Sequence, residues 1–322
     1  ALDRRLRPGG GADKFLDEVG LTRREEKLLR LELKPLQQER AQHEQREWRA
    51  LGLPEQQQLR QESEAAGVSL RYLIDDFPEE VRRAGLSMEC NFYELKSLVY
   101  GPSGVGAGKL SPRDGRFGAS FVDSLLAVHR GKATHFTSWC WKYTAEAVIS
   151  ALAAWRKETG IDTSSPFIWL CFFCNNQYRL LDEKEVANGS DFLEDLFEPR
   201  VIECGNVLVI FDRAISPTWI ERAWCIFEAY IAVKNSLKLT ILLPETEKEL
   251  FWTALASSGM KDFKAGLDGM KVEKARASVR ADEDKVKDII KKELGGFEKV
   301  DNKVRAELSA WGLAQMEKYL AQ

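Results

Sequence analysis

Several kinds of chemistry are missing from this chain. Its three histidines, His43, His129 and His135, show no ligand spacing. No HExxH, no GxGxxG turn and no nucleophile elbow occurs, so zincin, dinucleotide-fingerprint and α/β-hydrolase chemistry have no sequence support. The longest apolar run, Phe167 to Cys174, is less than half of the ~20 residues a membrane-spanning helix needs. A formal net charge of −3 leaves no basic footprint for general nucleic-acid binding. Cysteine is limited to Cys90, Cys140, Cys171, Cys174, Cys204 and Cys225, and several of these sit in or beside expected core elements. That suits buried thiols better than a disulfide framework. Cys171 and Cys174 spell CxxC, but inside an expected strand residues three apart point to opposite faces. No second CxxC accompanies them, so no metal site is expected.

What is present is organised around Gly205 to Ile231, GNVLVIFDRAISPTWIERAWCIFEAYI. Val207 to Phe211 is an unbroken, β-branched-rich apolar run, the pattern of a strand buried on both faces. Asp212 to Pro217 breaks that pattern. Trp219, Ile220, Ala223, Trp224, Phe227, Tyr230 and Ile231 then recur at helical spacing. A strand of this kind feeding a helix is half of a βαβ unit.

Residues 1–85 have a different texture and read as a helical arm. Gly9 to Gly11 open it, and Thr22 to Glu25 has the capping-box form before leucines at helical spacing. Pro35 should kink or restart that helix. Gln37 to Arg49 is almost wholly polar, with Trp48 its one large apolar residue. Such a helix buries little against its own domain, so Trp48 is the expected partner-binding anchor of the arm. Shorter helices are expected over Pro54–Ala66 and Leu70–Ala84. Residues 86–132 form a loop-rich lead-in. Its run Gly101 to Lys109 resembles a phosphate loop but fails the spacing: Ser103 stands five before Gly108, and Leu110 replaces the metal-binding hydroxyl. A flexible surface loop is the expectation there.

Within 133–322, strands are expected at Thr134–Ser138, Phe167–Cys174, Val207–Phe211 and Leu239–Leu243, with a weak edge strand at Val272–Ala277. Helices are expected at Thr144–Lys157, Phe192–Glu203, Glu247–Ser257, Asp282–Leu294 and Asp301–Leu320. This alternation predicts an α/β fold, an open parallel sheet of four to five strands flanked by helices, in strand order 2-1-3-4. Ligands of such sheets sit beyond the carboxyl ends of the strands. The ligand-binding candidates are therefore Ser138, Trp139, Trp141 and Lys142 on the first loop, Asn175, Asn176, Gln177 and Arg179 on the second, and Asp212 and Arg213 on the third. Aromatic faces, amides and cations would suit a stacked base and a phosphate-bearing ligand; equally, they would cover the sheet end.

The segments THFTSWCWKY, FIWLCFFCNNQYR and GNVLVIFDRAISPTWIERAWCIFEAY, in that order, resemble a TIR-like family of unicellular algae and other protists. The likeness extends from Ser111, where that family often carries Cys, to Trp311. True TIR domains are more distantly similar, through THFTSW and RAWCIFEAY. The resemblance implies a flavodoxin-like sheet, assembly with like or unlike partners and, in some members, NAD⁺ cleavage. It places the cleaving carboxylate on GSDFLEDLFEPR, with Glu194 the first candidate and Asp191 the second. Such a group would stabilise the oxocarbenium-like charge as nicotinamide leaves. Glu228, in the later box, reads as structural because its helix packs on the sheet.

The resulting expectation is a non-catalytic protein-interaction or assembly module with no cofactor. The alternatives are an NAD⁺ glycohydrolase or a nucleotide-binding sensor without turnover, with NAD as substrate or ligand. Protein partners would engage the arm and the TIR-like domain, without nucleic acid and without a transmembrane segment, though compatibly with peripheral association with a membrane complex. The expected location is soluble and intracellular. A start at Ala1 rather than Met is what a processed N-terminus would give, and an organelle would then replace the cytoplasm.

Overall fold

A computed structural model describes residues 39–181 and 191–321, the side chains of 191–196 and 319 excepted. The capping box at Thr22 and the leucine repeat beyond it lie outside the described residues. In chain order the main elements are helix α1 (39–50), α2 (Leu53–Glu64), strand β1 (Ala66–Ser69), α3 (Phe77–Arg83), β2 (Arg130–Lys132), β3 (His135–Ser138), α4 (Ala145–Thr159) and β4 (Phe167–Trp169). They continue with α5 (Asp191–Cys204), β5 (Asn206–Ile210), α6 (Ala223–Lys234), β6 (Lys238–Leu242), α7 (Glu245–Ser258), α8 (Lys261–Asp268), α9 (Arg280–Lys292) and α10 (Phe297–Leu320).

The strands hydrogen-bond in the order β2-β1-β4-β3-β5-β6. β3 runs parallel to β4 and β5, and β5 parallel to β6, so the 2-1-3-4 order expected for the four principal strands is the one observed. The sheet has six strands rather than four to five. The two extra ones, β1 and β2, are antiparallel to each other; AGVS and RGK are too short and too little apolar to announce themselves as strands.

The chain divides into two compact units. One contains 39–68, 95–132 and 171–181; the other contains 69–94, 133–170 and 191–321. The second unit holds β3 to β6. His135 meets Trp155 of α4 with ring centroids 5.2 Å apart, while the next residue, Phe136, stacks on Trp169 at 5.0 Å and meets Phe197 of α5. Alternate residues of β3 thus address opposite faces, with α4 on one and α5 and α6 on the other.

α4 shows how local sequence sets an element. Thr144 accepts a hydrogen bond from Ala147 N at 3.1 Å and caps the start. Glu146 sits in the first turn, and Arg156 and Lys157 in the last, which complements the helix dipole. Gly160, at φ 62°, ends it in the left-handed conformation. Val148, Leu152 and Trp155 carry the buried face. α6 is different: it is buried all round, because α9 and α10 cover the side that does not face the sheet.

Four further expectations change. The strand expected over Phe167–Cys174 ends at Trp169, and Cys171–Cys174 is a single helical turn. Its carbonyls are satisfied locally, Cys171 O accepting from Asn175 N at 3.1 Å and from Gln177 Nε2 at 2.8 Å. On a helical turn the two CxxC residues are i and i+3 neighbours rather than opposed. Among the described residues no cluster suited to a metal forms. The edge strand expected at Val272–Ala277 reduces to turns and one parallel bridge, Arg222 with Arg276. Residues 69–85 are not arm: Leu70, Leu73, Phe77 and Val81 are fully buried within the second unit, each such side chain worth roughly 1.5–3 kcal/mol. Lastly, the glycine run of the lead-in is held by hydrogen bonds such as Ala119 N to Gly106 O at 3.0 Å. A Cβ on Gly106 would stand 2.0 Å from Ala119 O, so that glycine serves close backbone approach.

Candidate functional site

In the second unit, the loops leaving β3 and β5 meet. Tyr143 OH donates to Ile210 O at 3.2 Å, and burial pushes its phenol well above its ordinary range. Ser138, the last residue of β3, is fully buried. Its hydroxyl donates to Glu228 Oε2 at 2.5 Å and accepts from Trp219 Nε1 at 3.0 Å. Glu228 projects from α6 and is pushed up to about 8 by burial, against the opposing hydrogen bond from Ser138. Burial therefore favours its neutral form. Beside it, the Cys225 thiol donates to Trp139 O at 3.3 Å and is raised by burial.

The other candidates of this unit have internal work. Trp139 is buried, edge-on to Phe92 at 4.4 Å. Asp212 accepts from Thr218 N at 2.8 Å and from Thr218 Oγ1 at 2.6 Å, closing the 212–218 turn, and Arg213 donates to the same hydroxyl at 3.1 Å. Trp141 is half-buried against Tyr93, 5.5 Å between rings, while Lys142 and Arg213 are exposed.

Asn175, Asn176, Gln177 and Arg179 fall in the first unit. Asn176 is buried; its Nδ2 donates to Gly118 O at 2.9 Å, and its Oδ1 caps the turn at Tyr178 N. Gln177 serves Cys171 O. Arg179 grips Asp114 with two donors, at 2.7 and 3.2 Å. Burial opposes ionisation of Asp114, yet hydrogen bonds from Arg179 and Arg116 hold its carboxyl below the usual range. Asn175 is buried, with no hydrogen bond to its Oδ1 among the described residues.

Sequence reasoning missed a second cluster in this unit. Arg113 donates to Ser63 Oγ at 2.8 Å, Ser63 O at 3.2 Å and Cys174 O at 2.6 Å, and lies 3.8 Å from Asp123. Nothing in the run SPRDGRF distinguishes Arg113 from Arg116, because the partners are up to 61 residues away in sequence. Trp48 is half-buried over Gly115, where an added Cβ would meet its ring at 2.2 Å, and Gln45 donates to Gly115 O at 3.3 Å. The arm tryptophan thus packs on its own chain. Glu194 and Asp191 lie on α5, their side chains outside the described ones.

The fold and this chemistry define an α/β protein with a mainly parallel sheet and a carboxyl buried beneath the strand ends. No family model, no curated protein and no solved structure matches the chain.

Proposed function

We propose that the chain is a non-catalytic interaction or assembly module built on a TIR-like domain. One observation carries the reading: Ser138, Asp212, Asn176, Gln177 and Arg179, all expected to greet a ligand, are engaged internally. Ser138 is held by Glu228 and Trp219, Asp212 by Thr218, Asn176 by Gly118 and Arg179 by Asp114. A buried group already hydrogen-bonded must lose that bond before it can serve a ligand. The strand-end loops of the second unit turn Lys142 and Arg213 outward, with Trp141 half-exposed beside Lys142. Exposed aromatic and arginine side chains are enriched at protein-binding surfaces.

Two measurements test this. The first follows nicotinamide release from NAD⁺ by the purified chain and by Glu194→Gln. Turnover in the wild type that vanishes in the variant replaces the proposal with glycohydrolase activity. The second compares proteins co-purifying with the native chain and with a Trp141→Ala/Lys142→Glu variant. Recovery should fall by about tenfold if one aromatic anchor carries ~1.4 kcal/mol or more; equal recovery removes these loops from the interface.

A further inference from the structure

Ser278 lies on the bend between the Arg222–Arg276 bridge and the start of α9, and it is exposed. Its hydroxyl receives Arg222 Nη2 at 2.7 Å and also hydrogen-bonds Tyr93 OH. Among the described residues Arg222 has no carboxylate at ion-pair distance, so this guanidinium is aimed at a hydroxyl alone. Arg276 and Arg280 flank the serine at −2 and +2; both pair with Glu283, at 2.9 and 3.1 Å, yet keep side chains 66% and 70% exposed. Val279, the N-cap of α9, offers no side-chain cap to the first turn.

We propose that Ser278, just before α9, is a phosphorylation site for a serine kinase directed by basic residues, and that the phosphoserine is received by Arg222. The segment Lys274-Ala-Arg-Ala-Ser278-Val presents a cation two residues before an exposed serine, the charge pattern an acidic kinase cleft reads. In the transfer, Ser278 Oγ bonds to the γ-phosphorus of a nucleoside triphosphate as the bond to the β,γ-bridging oxygen breaks. The nucleoside diphosphate leaves, and the hydroxyl proton passes to the kinase base. The product brings nearly two negative charges and new acceptor oxygens to a guanidinium and a helix N-terminus, both of which favour it. The phosphate also esterifies the Ser278 oxygen that hydrogen-bonds Tyr93 OH, so that oxygen can no longer donate. Tyr93 packs on Trp141, so the modification reaches the strand-end loop. The site itself does not depend on the interaction-module reading.

The test incubates the full chain with a basic-residue-directed serine kinase and ATP, and maps the phosphate by tandem mass spectrometry. Ser278 should be the principal acceptor. Ser278→Ala should abolish that signal with unchanged melting, and Arg276→Ala should slow it by about tenfold, the worth of one charge-assisted hydrogen bond. Phosphate found elsewhere, or none, overturns the site. Phosphorus NMR then follows the second ionisation of the phosphoserine, near pH ~6 when unperturbed. It should move to higher pH in Arg222→Ala; the same midpoint in both proteins overturns the role given to Arg222.

Discussion

The two units bury carboxyl groups in opposite ways. In the first, Asp123 is 1% exposed, held by the Ser63 and Ser120 hydroxyls at 2.7 and 2.6 Å, with guanidinium groups of Arg113 and Arg130 at 3.8 and 3.7 Å. In the second, Glu228 is also buried but accepts from a neutral donor, the Ser138 hydroxyl, which in turn accepts from the Trp219 indole. Both units withdraw an acid from water, one beside cations and the other beside neutral donors. The guanidinium groups tie the first cluster to segments distant in sequence. A proton kept by burial makes the second dependent on pH instead.

The largest effect should come from breaking the first arrangement. Arg113→Ala removes the donor to Ser63 Oγ, Ser63 O and Cys174 O. Each buried acceptor left without its donor costs about 1–3 kcal/mol, to be read from urea unfolding. Arg113→Lys should recover only part of this, since an ammonium cannot reproduce the planar fork. A loss below about 1 kcal/mol would mean that the two hydroxyls suffice for Asp123.

Next in size is Gly106→Ala. The added methyl collides with backbone rather than with a yielding side chain, so the loop must move. Overpacking of this kind costs about 1–3 kcal/mol. The same unfolding measurement should show it, together with faster amide exchange at Ala119, whose N–H bonds Gly106 O. Unchanged exchange would indicate that the loop absorbs the methyl without losing its register.

What the sequence disclosed follows the same divide. The parallel strands and α4 to α6 were legible because apolar periodicity and caps such as Thr144 are local signals. β1 was hidden because Ala66-Gly-Val-Ser has no alternation to read. The helical turn at Cys171 was hidden because an apolar run looks alike in strand and buried helix; Gln177, six residues on, decides it. Glu228 reads as structural because its helix is apolar on every side, and its side chain is buried against Ser138. Ser138 and Asn176 looked like ligand groups because loop position says nothing of what a side chain bonds to. Arg113 and Ser278 were invisible because their partners come from distant segments.

The smallest effect at neutral pH, and the sharpest contrast, belongs to Glu228→Gln. An amide can still accept from Ser138, so stability at pH 6 should change by less than about 1 kcal/mol. The pH profile should change shape. The carboxyl goes from an ordinary 4.5 to about 8 on folding; the native state therefore binds the extra proton between those values, and stability falls as pH rises through them. His135 acts in the other direction. Burial, aided by Lys238, lowers it from 6.5 to about 4, so its contribution is full above 6.5 and is lost as pH falls towards 4. The two slopes oppose each other between 4.5 and 6.5, and above 6.5 only Glu228 acts. From these two groups, wild-type stability should be nearly level and then decline towards pH 8, by at most about 1.4 kcal/mol per pH unit. Glu228→Gln should instead rise to pH 6.5 and stay level, overtaking the wild type on the alkaline side. Melting temperatures from pH 5 to 9 decide it; parallel curves for the two proteins would mean that Glu228 is already ionised in the native state.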